Sequence, residues 1–260
     1  MPDLSLVIPA YNEERRLGPT LEAVLAFLGE RPYTSEVIVV SDGSQDGTGR
    51  VAQDAFTSLG QGPDAKVTGR FVEYHPNAGK GRAVRTGVAA TRGRYVAFTD
   101  ADLSTPIEEV ERALEHVRSG AYLMVLGSRA VEGSEVDRFQ PLYRRLAARF
   151  FNLVRDTITG MRQLRDTQCG LKVFHGDLAR YIFSRQIVDG FMFDVETAFI
   201  AQRLGVPILE LGVRWADAPE SKVRFSSGFR MIPDLTRIRL AHGSLSRADL
   251  PASVTLAAAH

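Results

Sequence analysis

The protein has a single cysteine, Cys169, among its 260 residues. One cysteine forms neither an intramolecular disulfide nor a cysteine-rich zinc site, and this favours a reducing, cytosolic setting. Long hydrophobic runs are also missing: no stretch approaches the roughly 18 consecutive apolar residues of a membrane-spanning helix, and no basic segment with an apolar signal core opens the chain. We therefore expect no membrane-spanning segment. The five histidines show no metal-ligand spacing.

Charge is almost balanced overall, with a formal net charge of +1, but it is unevenly distributed. Positions 138–165 contain seven arginines and one aspartate, and positions 222–247 contain five arginines and one lysine against one aspartate. These two basic segments carry +6 and +5, so the rest of the chain carries −10. Basic segments on an acidic body indicate an anionic partner, either phosphate groups or a membrane surface.

Short β-branched runs alternate with amphipathic stretches of helical length, which is the pattern of a mostly parallel sheet covered by helices. The predicted fold class is therefore α/β. Predicted strands cover 4–8, 37–40, 67–74, 95–99, 122–126, 171–174 and 208–215. Predicted helices cover 14–28, 48–59, 80–90, 106–119, 139–155 and 194–204. We expect a single domain over 1–245, with a nucleotide-binding half at 1–128, a second half at 129–245 and a tail at 246–260.

Polar residues directly follow four of the predicted strands. Ligands of open parallel sheets lie outside the carboxyl ends of the strands, so we expect these four segments to surround one crevice. The segments are Pro9-Ala10-Tyr11-Asn12-Glu13, Asp42-Gly43-Ser44-Gln45-Asp46, Asn77-Ala78-Gly79-Lys80-Gly81 and Asp100-Ala101-Asp102.

Asp100 and Asp102 are the candidate metal ligands. They are two residues apart at the end of an apolar strand. Carboxylates in this spacing can direct oxygens to one hard cation, Mg²⁺ or Mn²⁺, whose other ligands would be water and diphosphate oxygens. The same pattern also occurs in turns and helix caps. Its position beside three other polar strand ends favours a metal site.

Asp42 and Lys80 are candidate nucleotide ligands. An acid after the second strand commonly binds a ribose or a base, although Asp42 could also form an Asx-turn, and both could hold at once. Lys80 lies between two glycines at a helix start, where backbone N–H groups and the ammonium could bind phosphate; a solvated helix start is the alternative. The segment is not a Walker loop, because it lacks the required earlier glycine and Gly81 follows the lysine.

A nicotinamide-binding fingerprint is a rival interpretation of one segment. Positions 47–52 (GTGRVA) match G-x-G-x-x-A, and Glu73 lies about 24 residues past Gly49. However, Gly47 comes seven residues after Val40, whereas the fingerprint places its first glycine in the tight turn directly after the strand. We therefore interpret Gly47 as an ordinary turn residue.

Five motifs occur in a fixed order along the chain: LVIPAYNE (6–13), VIVVSDGSQDGT (37–48), GKGRAVRTG (79–87), TDADLS (99–104) and GSR (127–129). In this order they resemble the family 2 glycosyltransferases with a GT-A fold. Four later motifs are DTQCGLK (166–172), FDVE (193–196), VRW (213–215) and SK (221–222). These resemble the dolichyl-phosphate β-glucosyltransferase branch of that family. The resemblance covers roughly residues 4–225.

This resemblance implies an inverting transfer of a sugar, glucose from UDP-glucose, to a polyprenyl phosphate at the cytoplasmic face of a membrane. The nucleotide would be bound by Pro9, Ala10, Tyr11, Glu13, Asp42, Lys80 and Asp100. Asp100 and Asp102 would hold the metal and the diphosphate, and Arg129 with nearby arginines would hold the acceptor phosphate.

The sequence departs from the family pattern at two positions. Ser41 stands where the family usually has a first aspartate, which bears on base recognition. Ser104 stands where mannosyl-transferring relatives usually have glutamine, which argues against GDP-mannose.

Eukaryotic members of the branch have an N-terminal membrane anchor, and without one we expect peripheral attachment. The alternatives are a GDP-mannose donor, a soluble saccharide acceptor, and an NAD-dependent oxidoreductase.

The expected chemistry needs no strong base, because a phosphate acceptor with a second pKa of about 6 is largely ionised near neutral pH. A carboxylate such as Asp166 or Asp194 would orient the acceptor or the sugar hydroxyls, and Arg129 would bind phosphate oxygens. Asp194 could instead cap the following helix. We expect Cys169 to be a packed residue rather than a nucleophile.

Both basic segments also carry apolar stripes. One helical face of the first contains Phe139, Leu142, Tyr143, Leu146, Phe150, Leu153 and Val154, flanked by Arg144, Arg145, Arg149 and Arg155. Positions 229–240 have the same character. Such helices suit a membrane interface, or their apolar faces could pack on the protein's own sheet. Binding of single-stranded nucleic acid is a third class of function, but the acidic remainder of the chain argues against it and no nucleic-acid partner is expected.

Overall fold

Strands and helices alternate through the residues that the computed structural model describes, which are 1–59, 65–137, 142–216 and 231–254, without the side chains of 142–145. The strands are β1 (Leu4–Ala10), β2 (Ser35–Asp42), β3 (Val67–Tyr74), β4 (Tyr95–Phe98), β5 (Met124–Ser128), β6 (Glu135–Val136), β7 (Lys172–His175), β8 (Ile208–Gly212) and β9 (Arg214–Trp215). The helices are α1 (Glu14–Gly29), α2 (Thr48–Thr57), α3 (Lys80–Ala89), α4 (Glu108–Arg118), α5 (Leu142–Thr159), α6 (Gly176–Arg185), α7 (Phe193–Arg203) and α8 (Met231–His242). A short 3₁₀ helix, Arg247–Asp249, follows α8.

Seven strands form one sheet in the order β3-β2-β1-β4-β7-β5-β8. Neighbouring strands are parallel except around β7, which is antiparallel to both β4 and β5. This arrangement confirms the predicted α/β class with a mostly parallel sheet. Strands β6 and β9 form a separate two-stranded parallel sheet.

The sheet separates two hydrophobic clusters, one on each face. Every residue of β1 and β2 is buried, because helices cover the sheet on both sides. Leu6 and Ile8 belong to one cluster and Val7 to the other, as the two-residue period of a strand requires. The carboxyl ends of β1, β2, β3 and β4 therefore lie along one edge of a rigid, doubly covered sheet.

The structure differs from the prediction at several elements of the second half. The predicted strand 208–215 is divided at Val213, whose N–H donates to Ser128 and whose carbonyl accepts from Glu135, both at 3.1 Å. Arg214 and Trp215 therefore leave the main sheet and pair with β6. Residues 176–185, which had no predicted element, form α6.

The basic helix α5 is partly buried, contrary to one expectation. Arg155 was expected on its exposed flank, but it is 1% exposed. Its guanidinium donates to the Leu164 carbonyl at 2.5 Å and to Asp156 at 2.8 Å, so it holds the segment that follows the helix. Position 139 and the side chains of 142–145 lie outside the described residues.

Packing continues beyond the predicted domain boundary at residue 245. Leu250 packs against the core cluster, and Val254, only 4% exposed, belongs to it. Residues 246–254 thus contribute to the core, while 255–260 lie outside the described part of the chain. The division of the chain into one domain and a tail stays a prediction.

Phe98, at the end of β4, should be a major source of stability. Its ring is fully buried, with the rings of Phe174, Phe183 and Phe193 at centroid distances of 5.7–6.4 Å. We expect Phe98→Ala to lower the free energy of unfolding by about 3–5 kcal/mol in urea denaturation. The matched control is Phe150→Ala, at a position 60% exposed, which should change it by no more than about 0.5 kcal/mol. Equal effects of the two changes would contradict this view of the core.

Candidate active site

The four polar strand ends meet at one edge of the sheet, as the sequence predicted. The first two are joined by Asn12, whose N–H donates to Ser44 Oγ at 3.0 Å and whose Oδ1 accepts from the Gln45 N–H at 2.8 Å. Asn12 has a φ of +53°, in the left-handed region that asparagine tolerates better than most residues. The hydrogen bonds fix the strand-to-helix turn after β1 against the turn after β2.

Asp42 joins the second and third strand ends. Its carboxylate accepts hydrogen bonds from the N–H groups of Ala78 (2.7 Å) and Gly79 (2.8 Å) and from Asn77 Nδ2 (2.9 Å). Asp42 is 3% exposed. The carboxylate holds the turn that begins α3 and does not form an Asx-turn, and the nucleoside contact of Asp42 stays a prediction.

Lys80 joins the third and fourth strand ends. It is the first residue of α3, and its Nζ lies 2.5 Å from Asp100 Oδ1. Burial alone would raise the pKa of Asp100, but the Lys80 ammonium, with Lys172 and Arg129 further away, holds it below its ordinary value. Gly170 lies directly under this carboxylate, and a Cβ at that position would overlap it.

Asp102 closes the ring back to the first strand end. Its Oδ2 lies 3.5 Å from Nη1 of Arg16, and Arg16 forms a bidentate ion pair with Glu13 at 2.6 Å for each contact. Asp102 Oδ1 also accepts from the Ser104 N–H at 3.1 Å. Two of the predicted site residues, Glu13 and Asp102, are therefore linked by an arginine that the sequence analysis did not identify.

The donor set suits a divalent cation that arrives with phosphate. Within the described residues, no group of three His, Cys, Asp or Glu side chains could hold a metal ion. Asp100 and Asp102 would supply carboxylate oxygens, and the remaining ligands would come from a diphosphate and water, as is usual for Mg²⁺. The residues present fit a metal bound jointly with a nucleotide.

Asp194 lies deeper, in a buried ion pair. Lys172 Nζ is 2.5 Å from Asp194 Oδ1 and donates to the Cys169 carbonyl at 2.9 Å. Burial raises the pKa of Asp194 despite the nearby Lys172 and Lys80 ammonium groups. Asp194 does not cap α7, since the N-cap position is Met192 and no side chain caps that helix. Its carboxylate instead holds Lys172 beneath the crevice.

Arg129 and Asp166 form a further ion pair of the crevice. Arg129 Nε and Nη2 donate to the two carboxylate oxygens at 2.7 and 3.0 Å, and its backbone N–H donates to Asp166 Oδ2 at 3.1 Å. Burial would raise the pKa of Asp166, but Arg129 holds it below its ordinary value. The guanidinium carbon lies 5.4 Å from the centroid of the Trp215 ring. Asp166 thus orients Arg129. The pair involves Nε and Nη2 of the guanidinium, and Nη1 lies outside it.

Sequence analysis missed several residues that support these groups. Glu210 accepts from the N–H groups of Asp166 (2.7 Å) and Arg165 (2.8 Å) and so fixes the loop that carries Asp166. Lys172 lies in an apolar strand, and a lysine in that setting is itself a signal, because buried lysines are rare unless paired. Cys169 is buried, as expected of a packed residue.

The rival dinucleotide site is filled by the protein's own side chains. The Glu14 carboxylate accepts from the Gly47 N–H at 3.1 Å, and a Cβ at Gly47 would overlap it. Asp46 accepts from the Thr48 N–H at 3.0 Å. Carboxylates at this helix start argue against binding of a dinucleotide pyrophosphate there.

Comparison with known proteins extends over most of the chain. The family model described as glycosyl transferase family 2 matches residues 5–184. Dolichyl-phosphate beta-glucosyltransferase of Drosophila melanogaster is 37% identical over 249 residues, which are 91% of this chain and 74% of the relative. The human protein of that name is 36% identical over 250 residues, 92% of this chain and 75% of the relative. The Saccharomyces cerevisiae protein is 31% identical over 258 residues, which are 92% of this chain and 75% of the relative.

Solved structures show the same fold. Glucosyl-3-phosphoglycerate synthase from Mycobacterium tuberculosis, crystallised with Mn²⁺, UDP-glucose and phosphoglyceric acid, gives a TM-score of 0.66 at 18% identity, over 93% of this chain and 80% of that one. The same enzyme with Mg²⁺ and UDP gives 0.65 at 18% identity, with the same coverage. At this identity the likeness concerns the fold, which is the GT-A arrangement that the motifs implied.

Proposed function

The chain belongs to glycosyl transferase family 2, and from that premise we propose that it transfers glucose from UDP-glucose to a polyprenyl phosphate of the dolichyl type. The observation that carries the proposal is that relatives named dolichyl-phosphate beta-glucosyltransferase are 31–37% identical over 90–92% of this chain. The arrangement of the crevice supports it, because groups suited to a nucleotide diphosphate and to a second phosphate lie at the same sheet edge.

The donor would bind along the first three strand ends. Pro9 and Ala10 are buried at the end of β1 and would contribute backbone groups, whereas Tyr11 is 40% exposed and would contact the base. Glu13 and Asp42 would support this surface through the contacts they make within the protein. Lys80 would bind the diphosphate.

A divalent cation, Mg²⁺ or Mn²⁺, would be held by Asp100 and Asp102 together with the diphosphate, and it would stabilise the charge of the departing UDP. Lys80 and Arg16, which contact these two carboxylates, would lie beside the bound diphosphate and add positive charge there.

The acceptor phosphate would bind at Arg129 through Nη1, with Asp166 fixing the guanidinium and Trp215 flanking it. A phosphate oxygen forms the new bond to the anomeric carbon while the bond from that carbon to the UDP oxygen breaks, and UDP leaves with the electron pair. No proton has to be removed, because the phosphate is already ionised. In-line displacement inverts the configuration at the anomeric carbon. Asp194 would act at a distance, by holding Lys172 under the reacting groups.

The direct test is a transfer assay with the purified protein, Mn²⁺ or Mg²⁺, and a polyprenyl phosphate. We expect glucosyl polyprenyl phosphate by mass spectrometry, with a β linkage by NMR, and a kcat/KM for UDP-glucose at least about tenfold above that for GDP-mannose, about 1.4 kcal/mol. The contacts of Asn12 and Asp42 hold the loops that would bind the base but make no distinction between uracil and guanine, so both donors are measured under the same conditions. A higher kcat/KM for GDP-mannose would refute the donor assignment, and transfer to soluble saccharides alone would refute the acceptor.

The metal assignment is tested at Asp102. We expect Asp102→Asn to lower turnover at least about a hundredfold, some 2.7 kcal/mol of barrier, and EDTA to abolish transfer by the wild-type protein. The matched control is Asp177→Asn, since Asp177 also pairs with an arginine, Arg180 at 2.8 Å, but lies on α6 next to the opposite edge of the sheet. Full activity of the Asp102 variant, or of the wild type in excess EDTA, would contradict the assignment.

A membrane-facing surface would let the crevice reach a lipid-linked phosphate. On α5, Phe151, Val154 and Ile158 pack on the core. Other apolar residues of α5 and α8 are exposed: Leu146 (54%), Phe150 (60%), Leu153 (65%), Ile232 (52%) and Leu240 (79%). In the described residues, no helix is both long and apolar enough to span a bilayer.

We propose that these exposed residues, with the arginines around them, bind the cytoplasmic face of a membrane peripherally. One side of α5 packs on the core and another faces outward, and the membrane would contact the outward side. Arg149 is exposed on α5 and Arg237 on α8, where each would add about 1 kcal/mol of attraction to an anionic surface at low salt.

Flotation with anionic liposomes tests this surface. We expect Phe150→Ser with Leu153→Ser to abolish flotation and reduce transfer to long-chain polyprenyl phosphate, while transfer to a short soluble prenyl phosphate is kept. Arg149→Glu should weaken flotation, and the matched control Arg50→Glu, at an arginine with 75% of its side chain exposed on α2, should not. Normal flotation of both α5 variants would refute the membrane assignment and leave the transferase assignment standing.

A further inference from the structure

Glu196 is a fully buried carboxylate outside the groups discussed so far. It lies on α7 and is 0% exposed. Its Oε1 accepts from the Ile187 N–H at 2.8 Å, its Oε2 accepts from the Val188 N–H at 2.9 Å, and His242 Nε2 lies 2.7 Å from Oε1. Burying a carboxylate is unfavourable unless such partners are present. The contacts show that Glu196 is placed to hold residues 186–190, which we term the clasp loop.

The clasp loop packs its backbone directly on the turn that carries Lys80. The Asp189 carbonyl accepts from the Arg82 N–H at 3.1 Å. A Cβ at Gly79 would be 2.5 Å from the Asp189 carbonyl oxygen, and one at Gly81 would be 2.7 Å from that of Val188. The two glycines on either side of Lys80 therefore allow the clasp loop to approach, in addition to any role in phosphate binding.

A second set of contacts holds the other side of the clasp loop. Arg85, one turn further along α3, donates from Nη1 to the Gln186 carbonyl at 2.6 Å and from Nη2 to Asp189 Oδ1 at 2.8 Å. The loop is thus bound by α3 from one side and by Glu196 from the other. Movement of Ile187 and Val188 away from Glu196 would shift the carbonyl groups that abut Gly79 and Gly81.

We propose that Glu196 is a positioning residue for the donor site: it fixes the clasp loop, and the clasp loop fixes the backbone that places Lys80 against Asp100. The part that concerns UDP-glucose rests on the proposed function. His242, at the end of α8, contacts the same carboxylate. Glu196 therefore connects α8, through the clasp loop, with the turn that carries Lys80.

The test compares Glu196→Gln with a matched control, Glu36→Gln. In a glutamine at 196, an NH₂ group replaces one of the two oxygens that each accept from a backbone N–H, so one buried donor faces another donor and loses its partner. Glu36 is also buried (5% exposed) and accepts from a backbone N–H, that of Arg92 at 2.6 Å, but it lies at the amino end of β2. Both variants remove a buried charge, and only one of them touches the clasp loop.

Amide hydrogen exchange measures the stability of these backbone contacts directly and needs no ligand. In Glu196→Gln we expect the amides of Ile187, Val188 and Arg82 to exchange at least about tenfold faster than in the wild type, with little change in Glu36→Gln. Unchanged exchange at Arg82 in the Glu196 variant would overturn the proposal, because loss of the Glu196 contacts would then not alter the turn that carries Lys80.

Measurements of binding and kinetics test whether loss of the Glu196 contacts weakens the donor site. In Glu196→Gln we expect the Kd for UDP and the KM for UDP-glucose to rise about tenfold, while kcat and the KM for the acceptor change less than about threefold. A variant that merely unfolds more easily would lose all of these together, and comparison with Glu36→Gln distinguishes that outcome from a specific effect on the donor site. His242→Gln, which keeps a donor for Glu196, should resemble the wild type, and His242→Phe should show part of the Glu196 effect.

The two proposals fail in different ways. If the wild type binds no UDP, the proposed donor is wrong, and the exchange rates at Arg82 still decide whether Glu196 fixes the turn. If the wild type binds UDP and both glutamine variants bind it equally well, the donor stands and the positioning role of Glu196 is refuted.

Discussion

The carboxylate of Asp42 is the contact on which the geometry of the crevice depends. By accepting hydrogen bonds from consecutive residues of the turn before α3, it determines where that helix begins relative to β2. Lys80 is the first residue of the helix, so its reach to Asp100 follows from this contact. Since β2 lies in a sheet covered on both faces, the position of Asp42 is fixed by the core, and the core thereby controls the placement of a charged side chain at the surface.

The crevice is a set of matched charges rather than an anionic or cationic patch. Asp100, Asp102, Asp166 and Asp194 each lie within 3.5 Å of a lysine or arginine nitrogen. Such pairing keeps several partly buried ions tolerable in the absence of substrate. A metal–diphosphate complex would bring both signs of charge and could exchange partners with these pairs without leaving a buried charge uncompensated. This balance fits a site that accepts a cation and a polyanion together.

Much of the fold and half of the crevice follow from local sequence patterns. The polar strand ends were predictable because parallel strands end at one edge, and hydrophobic periodicity located the strands themselves. The contacts of the second half were not, because they join residues far apart in the chain: Lys172 with Asp194, and Glu196 with His242. The burial of Arg155 could not be seen either, since a helical wheel gives the direction of a side chain but not the loop that folds over it. The break at Val213 has the same origin, in a distant pairing of β6 with β9.

The reversed direction of β7 has a consequence for how such a site can change over evolutionary time. Because β7 is antiparallel to its neighbours, Lys172 at its start lies beside Phe98 and Leu126 near the ends of theirs. The segment that enters β7 therefore reaches the same edge as the segments that leave β1 and β4. Insertions or substitutions in that incoming segment would remodel the side of the crevice that carries Asp166, while the outgoing segments keep their order and spacing. A lineage could thus change one side of the crevice and inherit the other unchanged.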